Sequence, residues 1–543
     1  MLSLITCAQP SNLKNTAKSM FNITTYDAQG AIGTIAKGVF TSTDGKAIAP
    51  WSALAHAQHA TITTIDGATY NVQSIIGISE LYDVCHITTT ATATTPVAFA
   101  TSPATKGQQL WLLDTQGKKY RTTPYVVDRA EPFMERYTYY VFEYNAASAT
   151  IGQPLINDKG QVAALYQQSS SSLYGKGVDA SFAASLMAQP FDINNSAYAR
   201  TSLRLAIPAN RKDAQLMSML AASLPDTTKY AGYISDYIAA FPTEVDGYAT
   251  SAMIHLSANR FAAADYTMQQ CLQHATDKAE AHSEYARIMQ QKLLYNADTT
   301  YTAWTLDRAL DEATTAVNIN ALPSYRHRQA QLLYAKGCYR QALDILDSLL
   351  SGSLHTSEIF YEAAQCHTML GNSSDTIVTL LDSAVTACHQ PLSAIDAPYI
   401  LARGRLHHDM GNYRLALVDY NRYDTLMQGR ADAQFYYTRY LCETKLHQWQ
   451  QALNDIAHAA WLQPDNDAML AELASLQLRV GKHADAITTA DMCLTANANN
   501  TDAIIIKGIA LIFGKRKAEG IALLQQAKNL GDTRADDYIK KYK

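Results

Sequence analysis

Acyl transfer by a side chain needs a nucleophile, a base beside it and a carboxylate that holds the base in place. The first third of this chain supplies those types unevenly. Asp83 stands three residues before His86, His56 and His59 lie upstream, and Ser52, Ser148 and Thr150 offer hydroxyls. Thiol and metal chemistry is no better marked, because the eight cysteines show no CxxC spacing. Cys271 and Cys493 share one helical position with Ala459, where a small apolar residue is needed. Buried free thiols serve that purpose, with disulfides or a metal as the alternative. No cofactor motif and no dedicated metal site is expected.

Two kinds of element must position these residues. Residues 22–190 are rich in Thr, Val, Ile, Ala and Gly, in short alternating runs. The runs are broken at Thr43-Asp44-Gly45, Asp66-Gly67, Thr115-Gln116-Gly117 and Asn157-Asp158-Lys159-Gly160. Asp-Gly between alternating apolar runs is a hairpin signal, and many such strands predict a sandwich or barrel. Beyond Phe191 the apolar period changes from 2 to 3.6, which predicts helices over 211–543. Residues 191–210 read as a linker.

The order of the β pieces is specific. Gly38–Thr41 leads through a turn to Ala47–Leu54, then to the Asp66-Gly67 hairpin and the run Tyr82–Ile87. Downstream come Ile151–Val162, then Gly175-Lys176-Gly177-Val178 and a helix near 180–188. This resembles the double β-barrel of trypsin-like serine proteases, in the bacterial HtrA-like form. The resemblance places the family's base on Ser52, 14 residues before Asp66, its orienting carboxylate on Asp83 and its nucleophile on Ile151. Gly152, Pro154 and Leu155 keep the family pattern, Gln153 replaces a Gly, and Ala149 stands where the first Gly of the nucleophile motif belongs. The resemblance therefore implies a vestigial triad of Ser52, Asp83 and Ile151 and a vestigial oxyanion loop at Ala149 and Gly152. His86 fits no base role in that fold, and Ser148 and Thr150 would point elsewhere. The expectation is a pseudo-protease; the alternative is an active serine-type peptidase with a non-standard site.

The stretch Ala433–Asn466 organises the rest. It reads as helices at 433–446 and 449–461, closed by Pro464, with Ala452 and Ala459 seven apart on one face. Equivalents of Ala452 recur at Ala486 and Gly520 downstream, each 34 residues on, and at Ala416, Thr376 and Ala342 upstream at spacings of 36, 40 and 34, with Ala264 earlier still. This resembles a tetratricopeptide (TPR) array of about nine units over 211–543, ending in a capping helix. Such arrays present the first helix of each unit to a concave groove. The resemblance puts Glu358, Tyr361, Gln365, Thr368, Leu401, Arg405 and His408 there, with His327, Gln331, Tyr334, Gln434 and Tyr437. A strip of Tyr, Gln, His and Arg suits an extended peptide or protein partner; ordinary solvated helix faces are the bland alternative. The paired Lys/Asn pattern of a carboxylate clamp is absent.

A net charge of −5 with 17% charged residues argues against nucleic acid. No apolar run is long enough for a transmembrane helix. Residues 1–21 begin MLSLITCAQP, which reads as a signal-peptide remnant. A lipid anchor at Cys7 is a weaker option and a plain N-terminal tail the bland one. An extracytoplasmic location, periplasmic or at the cell envelope, is expected, with the cytoplasm as the alternative. The function expected is a non-catalytic interaction scaffold; a module that presents or shields peptides for another protease is the further alternative.

Overall fold

The computed structural model describes residues 10–143, 150–167, 174–352 and 354–542. Ala149, Ser148 and Cys7 lie outside them. The chain forms two compact units, 1–284 and 285–543.

The first unit opens with two closed antiparallel barrels of six strands each. In the first barrel are β1 (Met20–Tyr26), β2 (Ile32–Phe40), β3 (Lys46–Ala49), β4 (His59–Thr64), β5 (Thr69–Ser79) and β6 (Val84–Thr89). They run in the order β5-β4-β1-β2-β3-β6, and β6 pairs back to β5. The second barrel holds β7 (Gln109–Gln116), β8 (Lys119–Phe133), β9 (Tyr137–Phe142), β10 (Pro154–Ile156), β11 (Val162–Gln167) and β12 (Gly175–Asp179), in the order β10-β11-β12-β9-β8-β7. Three of the four turn signals read from the sequence fall between consecutive paired strands, and Thr115-Gln116-Gly117 spans the end of β7 and its turn into β8. The short strand β12 runs straight into a helix, Ala180–Ser185, which Asp179 caps by accepting from Ser181 and Phe182 N–H.

Alternation explains why several strands are buried on both sides. Ala47, Ala49 and Cys85 fill the first barrel, while their neighbours Ile48 and Val84 turn outward to meet Leu113, Ile156, Val178 and Phe182 between the barrels. Leu155 fills the second barrel and Ile156 faces the seam. A period of two with both faces apolar yields a continuous hydrophobic run, and here the second face is the other barrel.

The segment expected to be a linker is instead part of this unit. Ile193, Tyr198, Leu203 and Leu205 are buried in the first barrel's core cluster, and β13 (Arg204–Leu205) joins β5 as a parallel strand. Its apolar residues have a sheet edge to cover, so it packs rather than hangs free. The helices Arg211–Ala221 and Thr227–Ala240 continue that packing through Met217, Ala221 and Tyr233. Arg204 makes a bidentate pair with Asp236 at 2.6 and 2.9 Å. At the other end, Thr16 Oγ1 donates to Gly160 O at 2.7 Å, so residues 11–18 are tied to the second barrel's hairpin. The helix pair Val245–Ser257 and Phe261–His274 follows, and the helix Lys278–Tyr295 begins in this unit and ends in the next.

The second unit is a series of antiparallel helix pairs. Examples are Pro323–Ala335 with Tyr339–Leu350, Ser357–Met369 with Ser374–Thr386, Ala433–Lys445 with Trp449–Leu462, and Thr501–Phe513 with Lys517–Asn529. The first helix of several pairs starts at a side-chain cap: Thr356, Asp432, Asn466 and Asn500 each accept the N–H three residues on. Seven pairs, counting Val245–Ser257 with Phe261–His274 of the first unit, turn on one left-handed residue two places past the first helix. Gly supplies it at 337, 371, 411 and 481, whereas Asn259, His447 and Lys515 adopt the same positive φ.

Inside the pairs the small residues do what their spacing implies. Ala264, Ala342, Ala416, Ala452 and Ala486 are fully buried, as are Cys271, Cys493 and Ala459. At Gly520 even a Cβ would lie 2.4 Å from Gly508 O, so these two helices touch through bare backbone. Thr376 does not belong to this set. It is exposed, and the buried equivalent is the next residue, Ile377. The longer connection after Thr386 hides the shift from a count of spacings. Among the described residues no helix is long and apolar enough to cross a membrane.

Candidate functional site

Ser52, Asp83 and Ile151 lie on one seam of the double barrel. Ser52 is the second residue of the short helix Trp51–Leu54, which follows directly on Pro50. Asp83 sits in the β5–β6 turn with φ at 45°. The Ser52 N–H donates to Asp83 Oδ1 at 2.6 Å and its hydroxyl to Oδ2 at 2.8 Å. Burial pushes the Asp83 carboxyl above its ordinary value, and the two Ser52 hydrogen bonds pull against that.

The Ile151 turn is pressed onto the same helix start. Gly152 has φ at +81°, and a Cβ there would lie 2.0 Å from Lys37 O and 2.7 Å from Pro50 Cδ. Only glycine fits. Lys37 N–H donates to Ile151 O at 3.0 Å and Gly152 N–H to Tyr166 O at 2.8 Å. The Ile151 side chain is half-buried against the first barrel's core. Gln153, almost fully buried, fixes the turn from the other side: its Oε1 accepts from Thr150 N–H at 2.9 Å and its Nε2 donates to Asp114 Oδ1 at 2.7 Å. Lys37 Nζ donates to the same Asp114 oxygen at 2.6 Å and to Thr115 O at 2.9 Å. Burial raises the Asp114 carboxyl, but Lys37 and Gln153 together hold it below the ordinary value.

The histidines of this unit's barrels have contacts other than Ser52, Asp83 and Ile151. His86 lies on the strand face opposite Cys85. Its Nδ1 is 3.3 Å from Leu186 O, and burial lowers its pKa. His59 stacks on Tyr26 at 4.4 Å, and His56 is exposed. Among the described residues, the seam brings together a carboxylate, a hydroxyl held by it, and the sec-butyl side chain of Ile151. That set can hydrogen-bond and pack. A larger cavity of about 640 Å³ lies elsewhere in this unit, lined by Lys14, Lys18, Asp66, Tyr70, Lys118 and Tyr120 among others, and none of the three seam residues reaches it.

In the second unit the expected groove residues divide. Gln331, Tyr334 and Gln365 line one cavity of about 270 Å³, together with Gln290, Leu294 and Glu362. His327 joins them through Glu362: His327 Nε2 lies 2.5 Å from Glu362 Oε2, and Gln331 Nε2 donates to Oε1 at 2.8 Å. Burial lowers the pKa of His327 but the Glu362 carboxylate outweighs it, so the imidazole is held above its ordinary value. Tyr361 packs edge-on to Tyr399 at 5.3 Å. Arg405 and Gln434 are exposed, His408 faces its own neighbour Asp409 at 3.4 Å, and Tyr437 packs beside Tyr440 at 5.8 Å. These four do not line the cavity.

Two groups escaped the sequence reading. The Gln153–Asp114–Lys37 network joins three distant segments, and its one local hint is Gln153 standing where a glycine was expected. Glu362 could have been found from its spacing to Glu358, four residues earlier, which puts both carboxylates on one helix face.

No family model matches the chain, and no curated protein matches it. Among solved structures it is similar to the crystal structure of Rv3671c protease, inactive form, at 19% identity and a TM-score of 0.26, over 33% of this chain and 95% of that one. It is also similar to Rv3671c protease from M. tuberculosis, active form, at 18% identity and a TM-score of 0.27, over 33% of this chain and 86% of that one.

Proposed function

We propose that this protein is a non-catalytic interaction scaffold: a degenerate trypsin-like domain of the HtrA-like type followed by a TPR array that binds extended peptide. The observation that carries the first half is the Ser52–Asp83 pair. The carboxylate that would orient an imidazole is held instead by a serine N–H and hydroxyl. A serine hydroxyl takes no proton near neutral pH, and Ile151 has no atom that could attack a carbonyl, so base and nucleophile are both missing.

The second half rests on the cavity beside Tyr334 and Gln365. Aromatic and amide side chains there offer a flat apolar face next to hydrogen-bonding groups, the composition of a peptide-binding surface. Affinity selection of a displayed peptide library on the full chain tests it. Selected peptides should lose about tenfold or more in affinity on Tyr334→Ala with Gln365→Ala, since binding energy concentrates in a few such residues. Recovery of no peptide, or of peptides indifferent to both changes, would contradict the reading.

A further inference from the structure

His327, Glu358 and Glu362 place three potential ligand atoms within 4.8 Å of one another. They come from two neighbouring first helices, Pro323–Ala335 and Ser357–Met369. Glu358 and Glu362 are four apart on one helix, where like charges repel, and a cation between them would remove that repulsion. We infer that these three side chains form a site for a first-row divalent transition-metal ion, with Zn²⁺ as the type.

The chemistry of the set favours that class. An imidazole with carboxylates suits Zn²⁺ and its neighbours, whereas Mg²⁺ and Ca²⁺ prefer all-oxygen sites. Ligand atoms about 2.0–2.1 Å from a tetrahedral ion stand roughly 3.4 Å apart. His327 Nε2 and Glu362 Oε2, now 2.5 Å apart, would open by about 1 Å, and the exposed Glu358 carboxylate is free to swing in. The site also has its outer support. Gln331 Nε2 donates to the second oxygen of Glu362 at 2.8 Å, the kind of contact that fixes a ligating carboxylate. Glu362 and Gln331 line the 270 Å³ cavity, which leaves room for water at the fourth position.

The test is a Co²⁺ titration of the full chain after chelator treatment, followed by visible absorption. One equivalent should bind with d–d bands and without sulfur-to-cobalt charge transfer, and Zn²⁺ should displace it. Glu358→Gln, at an exposed position that leaves folding intact, should weaken the band strongly, and His327→Ala should abolish it. Gln331→Ala should weaken binding by about ten- to a hundredfold. No d–d band in the parent, a band dominated by thiolate charge transfer, or a band unchanged by Glu358→Gln and His327→Ala would each overturn the inference.

Discussion

Asp83 and Glu362 each accept two hydrogen bonds, yet they sit in opposite settings. Both donors to Asp83 come from one residue, Ser52, and the adjoining turn is closed by Gly152 on Pro50 and by Gln153 on Asp114. The donors to Glu362 come from two residues of another helix, and the carboxylate borders a cavity beside a second carboxylate. The seam is a structural joint in which Ser52 occupies both oxygens of Asp83. The His327–Glu362 cluster has a cavity beside it. Residue types alone do not distinguish these cases; what differs is whether neighbours consume the polar atoms and the space.

The largest effect that would sharpen this contrast is at Gly152. Gly152→Ala adds a left-handed β-carbon and a clash with Lys37 O, and should cost the barrels about 3 kcal/mol. Denaturant unfolding followed by tryptophan fluorescence measures it. A loss below about 1 kcal/mol would mean the seam is loose enough to hold something else.

A smaller effect tests whether the helix pairs of the second unit carry polar groups under strain. Glu443 is buried, and its Oε2 has no partner among the described residues. Burial, with Asp455 adding to it and Arg439 opposing, pushes its pKa up to about 8. The unfolded chain loses this proton near pH 4.3, whereas the native state keeps it to about pH 8. The native state therefore binds more protons between those values, and stability falls as pH rises through that window. Melts at pH 5 and pH 7 should differ by on the order of 2 kcal/mol from this group, and Glu443→Gln should remove that slope. An identical slope in the variant would show that Glu443 ionises normally in the fold.

Local signals were the legible ones. The four hairpin turns, the buried Cys271 and Cys493 and the helix pair at Ala433–Leu462 all rest on neighbours within a few residues, and the structure has them. The Ser52–Asp83 contact was legible only because a fold resemblance set two distant positions side by side. What failed depended on long-range partners. Residues 191–210 looked like a linker because the edge of β5 that they cover is more than a hundred residues away in sequence. Counting spacings points to Thr376, whereas the buried residue is Ile377, because an irregular connection shifts the repeat.

Covalent labelling tests the central claim most directly. The full chain, treated with a fluorophosphonate probe and assayed with casein, should show neither labelling nor cleavage. Ile151→Ser alone should stay silent, because members of a triad act as a unit. Ser52→His with Ile151→Ser and Ala149→Gly should gain weak labelling, since Asp83 remains in reach of position 52 to orient a new imidazole. Labelling of the unaltered protein, lost when one residue within 22–190 is mutated, would contradict the account.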